Sequence, residues 1–288
     1  MHRLIANSYI SPSQSRLLAL LENKLLAADD SWWAGRHPLH SRIVAAVPCA
    51  LYLNYVAKKS HAASLAPNIF RPLDLLGDGT STLFTILLFS LEQACPVWAP
   101  QMFGAVVPRI MQSNWRFYGH ITEPGSDSRR GVLFVRTVTT SLMLSVFGRR
   151  LARCFPLRRA HRMTLNWEAG HLTGVIDPGP GTAPELVFEG EKVESPHLDG
   201  VFCHQFRSYD DYARWIIDQH LSLTIWPRES VVQDMHLDFQ DAKIIPLRCI
   251  RCRVSDLEGF VHDQTKPHCF AVEGLKVFLD NIYSVRTK

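Results

Sequence analysis

Asn114-Trp115-Arg116-Phe117-Tyr118 opens the stretch that decides the fold. A turn at Glu123-Pro124-Gly125 follows, and Gly131-Val132-Leu133-Phe134-Val135 resumes an apolar run. Ser141 to Arg153 then carries Leu142, Met143, Val146, Phe147 and Leu151 at helical spacing, and Phe155-Pro156 stops it. The stretch ends on Leu157-Arg158-Arg159-Ala160-His161. It reads as strand, turn, strand, helix and a cationic corner entering a further strand. If the protein has a ligand site, its charge is expected at that corner.

Within the first of these strands, Trp115, Phe117 and Gly119 alternate with Asn114, Arg116, Tyr118 and His120. Period-2 alternation gives the strand one polar face. Inside a barrel that face would point Arg116, Tyr118 and His120 at an interior. On an open sheet the same face would lie in solvent. Periodicity does not separate the two.

On the N-terminal side, Ser11-Pro12-Ser13-Gln14 has the pattern of a helix start, with Leu17, Leu18, Leu21 and Leu25 on one side through about Ala28. The apolar stripe suits packing on the main domain, or pairing of two copies into a homo-oligomer. Its polar face is not strongly basic, which argues against a membrane surface. Residues 1–42 are therefore read as an N-terminal helical extension and 43–288 as one β-rich domain. Ile43 to Val56 and Thr80 to Leu91 read as strands, with Ala57 to Leu75 a loop between them.

On the C-terminal side, His161 to Trp167 and His171 to Ile176 read as a hairpin about Glu168-Ala169-Gly170. Glu185 to Gly190 is a short strand. Ser208-Tyr209-Asp210-Asp211 starts a helix with an apolar face of Tyr212, Trp215, Ile216 and Ile217. His220 to Trp226, Val231 to Phe239, Lys243 to Val254 and Cys269 to Phe278 complete the strands. The sum is an α+β fold with a large, largely antiparallel, barrel-like sheet and a few flanking helices.

Composition narrows the function classes. With 47% hydrophobic and 20% charged residues, the 288-residue chain is an ordinary globular sequence. A net charge of +4 without a dense basic stripe argues against nucleic acid. Seven scattered cysteines, an odd number, suggest free thiols in a reducing compartment. Met1 to Ser8 has no long apolar core, and the apolar run Leu83 to Leu91 is far short of the roughly 20 residues that span a bilayer. A soluble cytoplasmic protein with no membrane partner is expected.

The run Asn114-x-Arg116-x-Tyr118 followed by Gly131-Val132-x-Phe134 resembles the bacterial YqjF-like family. The resemblance extends in order through the helix ending at Phe155-Pro156, the segment Tyr212 to Leu223, the strand Val232 to Phe239, and Pro267-His268 ahead of Gly274-Leu275. It covers about Val44 to Tyr283. That family is similar to acetoacetate decarboxylase, which implies a β-barrel-like core around a small-molecule cavity. In the decarboxylase, a Pro-Lys-Lys step supplies a lysine whose lowered pKa allows a Schiff base. Here the step reads Pro156-Leu157-Arg158-Arg159, and arginine stays protonated. Gln112 sits where relatives often carry a glutamate. The resemblance therefore implies the fold without Schiff-base chemistry.

Asn114, Arg116, Tyr118, Arg158 and Arg159 are the candidate ligand-binding residues, with His120 and His161 as candidates for proton transfer. A guanidinium fork can hold a carboxylate or an enolate, and histidine moves a proton near neutral pH. The competing reading of arginines near a helix end is complementarity to its dipole, and it is preferred for Arg149, Arg150 and Arg153. Cys249-x-x-Cys252, with His262, His268 and Cys269 downstream, is loose for zinc, because residues three apart on a strand face opposite sides. No metal or cofactor is expected, and no nucleophile elbow or phosphate loop occurs. The expected function is binding of a small-molecule ligand, an anionic or apolar carbonyl compound. The alternative is a lysine-independent lyase, isomerase or cyclase acting on a small carbonyl acid.

Overall fold

Strand β4 (Ile110–Ile121) buries both of its faces. Trp115 and Phe117 point into one core, while Asn114, Arg116 and Tyr118 point into another. Only His120, next to the strand's end, is exposed. The polar face is thus not a solvent face, and the sheet must be covered on both sides wherever β4 runs.

The computed structural model describes residues 43–66, 69–77, 79–96, 109–123, 126–141, 157–198, 202–226, 229–261 and 266–285. The helix expected at 11–28 lies outside them, as does all but the first residue of that expected at 141–153. In chain order the other elements are β1 (Ile43–Lys58), α1 (Lys59–Leu65), β2 (Phe70–Pro72), β3 (Ser81–Pro96), β5 (Arg129–Thr139), β6 (Leu157–Arg159), β7 (Arg162–Glu168), β8 (His171–Asp177) and β9 (Leu186–Lys192). They continue with α2 (Phe202–Gln205), α3 (Tyr209–Ile217), β10 (Leu221–Trp226), β11 (Glu229–Asp238), β12 (Lys243–Val254) and β13 (His268–Val285).

The strand path runs β1-β3-β4-β5-β10-β11-β13-β12-β9-β8-β7, and β1 also pairs with β13. Pairing therefore returns on itself through β1, β3, β4, β5, β10, β11 and β13. Beyond this ring, β12, β9, β8 and β7 form a branch. Most pairs are antiparallel, but β10 and β6 run parallel to β5. The 18-residue β13 makes the branching geometry: one edge faces β1, while the other faces β11 and then β12.

The branch folds back over the outer face of the ring. Gly174 of β8 lies so close that a methyl there would stand 3.0 Å from Leu88 and 3.2 Å from Leu51. Leu51, Leu88, Trp115, Leu172 and Phe188 share this outer core. The other core lies on the concave face. Helix α3 reaches from His268 and Phe270 of β13 to Tyr118 of β4 and Arg130 of β5, a span that a single short helix bridges only when the sheet curls around it.

Local chemistry explains most boundaries. Ser208 caps α3 by accepting from the Asp211 amide at 3.1 Å, and Tyr212, Ala213, Ile216 and Ile217 are buried on one side. The β7–β8 turn has positive φ at both Ala169 and Gly170, as a two-residue hairpin turn with the sheet's own twist requires. One element departs from the sequence expectation: Lys59–Leu65 is helical rather than loop. It has no side-chain cap and buries only Ala62, so neither a cap nor an apolar stripe announced it. No helix among the described residues is long and apolar enough to cross a membrane.

Candidate site on the inner face of the ring

Strand register brings polar side chains from four strands into one transverse row. Asn54 pairs with His268 on one side and Thr85 on the other; Thr85 pairs with Arg116, and Arg116 with Phe134. Paired residues share a face, so the row lines the inside of the ring. It is tied together locally: Thr85 donates to Asn54 Oδ1 at 2.5 Å, and Asn54 Nδ2 donates to the His268 carbonyl at 3.1 Å.

Arg116 dominates this surface. Its residue is 2% exposed. Its Nε donates to the Tyr118 hydroxyl at 3.0 Å, and its guanidinium carbon lies 5.2 Å from the Tyr118 ring centre and 5.7 Å from that of Tyr52. The rings offer a cation–π surface, but Nη2 is buried with no hydrogen-bond partner. Among the described residues, no carboxylate pairs with this cation. Taking a lone charge out of water costs several kcal/mol unless a counter-charge meets it.

The neighbours cannot supply that charge. Burial pushes the Tyr52 phenol up to about 12, and it raises Tyr118 and Tyr212 as well; Arg116 opposes the shift at Tyr52 and Tyr118 without overcoming it. All three stay neutral near pH 7 and act as donors or aromatic walls. Two buried acceptors on the same inner side, Asn114 Oδ1 and Gln233 Oε1, also have no donor. Gln233 sits three strands round from Tyr118 through Val132 and Ser222. The interior therefore presents a cationic donor and two open acceptors within an aromatic wall.

The sequence candidates separate. Asn114, Arg116 and Tyr118 share the inner face. Arg159 pairs with Thr139, opposite Gln112, one same-face step beyond Asn114. Arg158 pairs with Val138 of the outer core and faces Arg136, which stacks on Trp115, so it lies on the other side of the sheet from Arg116. His120 is exposed between Arg71 and Arg130. His161 is exposed and packs against Gly179. The cationic corner and Arg116 thus form no single cluster. Asn54, Thr85, Tyr52 and Gln233 were not among the candidates. The available signal was a polar Asn54 in the middle of an otherwise apolar strand.

The Cys249–Cys252 pair also behaves differently from a regular strand. The β12–β9 register shifts between Cys249 and Arg251, and the bulge returns both cysteines to one face. Even so, no group of side chains among the described residues has the arrangement to hold a metal ion.

Solved structures share this architecture at low identity. An acetoacetate decarboxylase from Legionella pneumophila subsp. pneumophila superposes with a TM-score of 0.57 and 10% identity, over 99% of this chain and 98% of its own. This chain has the acetoacetate decarboxylase-like fold. An acetoacetate decarboxylase-like enzyme from Sphingomonas wittichii RW1 gives a TM-score of 0.54 at 9% identity, covering 87% and 95% of the two chains. The enduracididine biosynthesis enzyme MppR complexed with pyruvate gives 0.55 at 9%, covering 88% and 93%. No family model matches the chain, and no curated protein matches it. Within the acetoacetate decarboxylase-like fold, the inner face of the strand ring is where Arg116 lies.

Proposed function

We propose that this protein binds a small organic anion on the inner face of its strand ring, with Arg116 as the counter-charge, and that it is a YqjF-like member of the acetoacetate decarboxylase-like group. One observation carries the reading: a guanidinium that is 2% exposed, with a buried and unpartnered Nη2 and no carboxylate against it among the described residues. A carboxylate ligand would complete it bidentately. The pyruvate complex of MppR supports a small carbonyl acid as the ligand class. The open acceptors at Asn114 and Gln233 favour an acid that also carries a hydroxyl or an enol proton.

Schiff-base chemistry does not fit the chain. Arg158 and Arg159 stand where the decarboxylase pattern has lysines, and none of the described lysines is buried. The protein is then a binder or, as the second reading, a lysine-independent lyase, isomerase or cyclase. His268, on the inner row beside Asn54 and against Tyr212, is the residue that favours the second.

Thermal denaturation with millimolar pyruvate, acetoacetate and small hydroxy acids tests the reading, with methyl esters of the same acids as controls. Acids are expected to raise the midpoint and esters are not; a ligand at a hundred times its Kd stabilises by about 2.7 kcal/mol. Native mass spectrometry should show the adduct, and its mass after incubation separates binder from enzyme. Equal response to acid and ester, or none to any acid, would discard the anion site.

A further inference from the structure

Two strands at the margin of the sheet, β2 and β6, are three residues each, too short to template another chain. Strand β7 is different. It ends the strand path, is seven residues long, and among the described residues pairs with β8 alone. It holds no proline and no lysine, and its register with β8 runs without a shift. Proline, lysine and bulges are the usual devices that keep an edge from pairing with another chain, and β7 has none of them.

Hydrogen-bond phase decides which groups this edge presents. The Asp177 carbonyl at the end of β8 accepts from His161 N–H at 2.9 Å, on the β7 side. The Gly170 carbonyl just before β8 accepts from Lys192 N–H at 2.9 Å, on the β9 side. Odd-numbered residues of β8 thus bond to β7 and even-numbered ones to β9. The β7 partners of the odd residues are Arg162, Thr164, Asn166 and Glu168. The N–H and C=O groups of Met163, Leu165 and Trp167 therefore point away from β8, along the free edge. Met163 and Leu165 are buried in the outer core, whereas Trp167 is 37% exposed.

The edge is complementary to itself. Set antiparallel to a second copy about Leu165, it places Arg162 opposite Glu168, Thr164 opposite Asn166, Met163 opposite Trp167, and Leu165 opposite its own copy. Every edge-facing position then falls in a hydrogen-bonded pair, so the outward N–H groups of both strands find carbonyls. Arg162 and Glu168 fall in the closer, non-bonded pairs, where opposite charges attract. Both are exposed, and no ion pair among the described residues ties down either one. Trp167 comes to lie beside Met163 of the other copy, which takes exposed aromatic surface out of water. Sliding the register by two residues loses both ion pairs and this contact.

We propose that β7 is a homodimerisation edge. Two copies of this chain join β7 to β7, antiparallel about Leu165, and extend the β12-β9-β8-β7 branch into one continuous sheet across a two-fold axis. The edge lies on the branch, away from the inner face of the ring, so it stands independently of the ligand reading.

Sedimentation velocity of the full chain from about 1 to 100 μM tests it. A dimer that grows with concentration is expected, since one strand pair is a small interface. Arg162→Glu and Glu168→Arg each set like charges opposite one another at both ends, and each should weaken the dimer at least about tenfold. Combining the two substitutions in one chain restores both ion pairs, and mixing the two single variants does so in a heterodimer. Either should return the dimer, and the mixture also shows that both variants are folded. A chain that stays monomeric throughout overturns the proposal. So does a dimer that both single reversals leave intact, or a loss that neither combining nor mixing restores.

Discussion

Arg116 Nε donates to the hydroxyl of Tyr118, two residues along the same inner face, at 3.0 Å. The phenol is held neutral by burial. A permanent cation inside a ring of strands is thus anchored by a group that cannot neutralise it.

Replacing Arg116 by Met keeps the volume and removes the charge. Without ligand, Arg116→Met is expected to stabilise the fold by about 1–3 kcal/mol, since exchanging a buried ionic group for a packed apolar one is commonly neutral or favourable. The same variant should lose the midpoint shift induced by organic acids. Urea denaturation with and without acid measures both. A variant that is less stable without ligand yet still responds to acid would mean that the cation serves the fold alone.

Tyr118→Phe leaves the Arg116 Nε without its acceptor. A loss of about 1–3 kcal/mol is expected for an orphaned buried donor. In an Arg116→Met background the same change should cost little, so a double-mutant cycle reads the coupling directly. Additive losses would show that the hydrogen bond contributes nothing.

Gly119 lies where β2 crosses β4. A methyl there would overlap the Arg71 carbonyl oxygen and stand 2.9 Å from the Phe70 ring. Backbone, not a flexible side chain, blocks the space, so Gly119→Ala is expected to destabilise by about 1–3 kcal/mol through overpacking. Calorimetry checks this, and an unchanged midpoint would contradict the close approach.

Asp74 receives a hydrogen bond from Lys59 Nζ at 2.7 Å and others from the amides of Gly77 and Gly79 at 2.8 and 2.9 Å. Chiefly through Lys59, its pKa is held below the ordinary 3.8. A depressed folded pKa gives stability that is complete above the ordinary value and is lost as the pH falls through the folded one. Asp74→Asn should therefore flatten the acid limb of a melting-temperature profile below about pH 4 and leave the slope above pH 5 alone. An acid limb identical to that of the parent would rule out this contribution.

Much of the architecture is legible in the residues. Period-2 runs mark the long strands, and Ser208 with Asp211 marks α3. What periodicity lacks is the third dimension. It shows that Asn114, Arg116 and Tyr118 share a face, but only the closure of β1 on β13 decides that the face looks inward. Arg158 follows the same logic in reverse: its pairing with Val138, not its neighbours in sequence, sends it outward. The bulge at Ile250 is a single extra residue with no glycine to announce it, so the convergence of Cys249 and Cys252 is invisible to a rule that counts alternation.

The contact between Asn54 and His268 joins residues 214 positions apart. During translation at about 5–20 residues per second, β1 would wait about 10–40 s for the strand that closes the ring. Until then its apolar face and one edge lack their final partner, which is the situation that recruits chaperones to nascent chains. Closure is also the slow kind of event, since a long loop must be fixed before the pairing returns any stabilisation. A newly made chain is thus expected to acquire the proposed anion site only after β13 has been made.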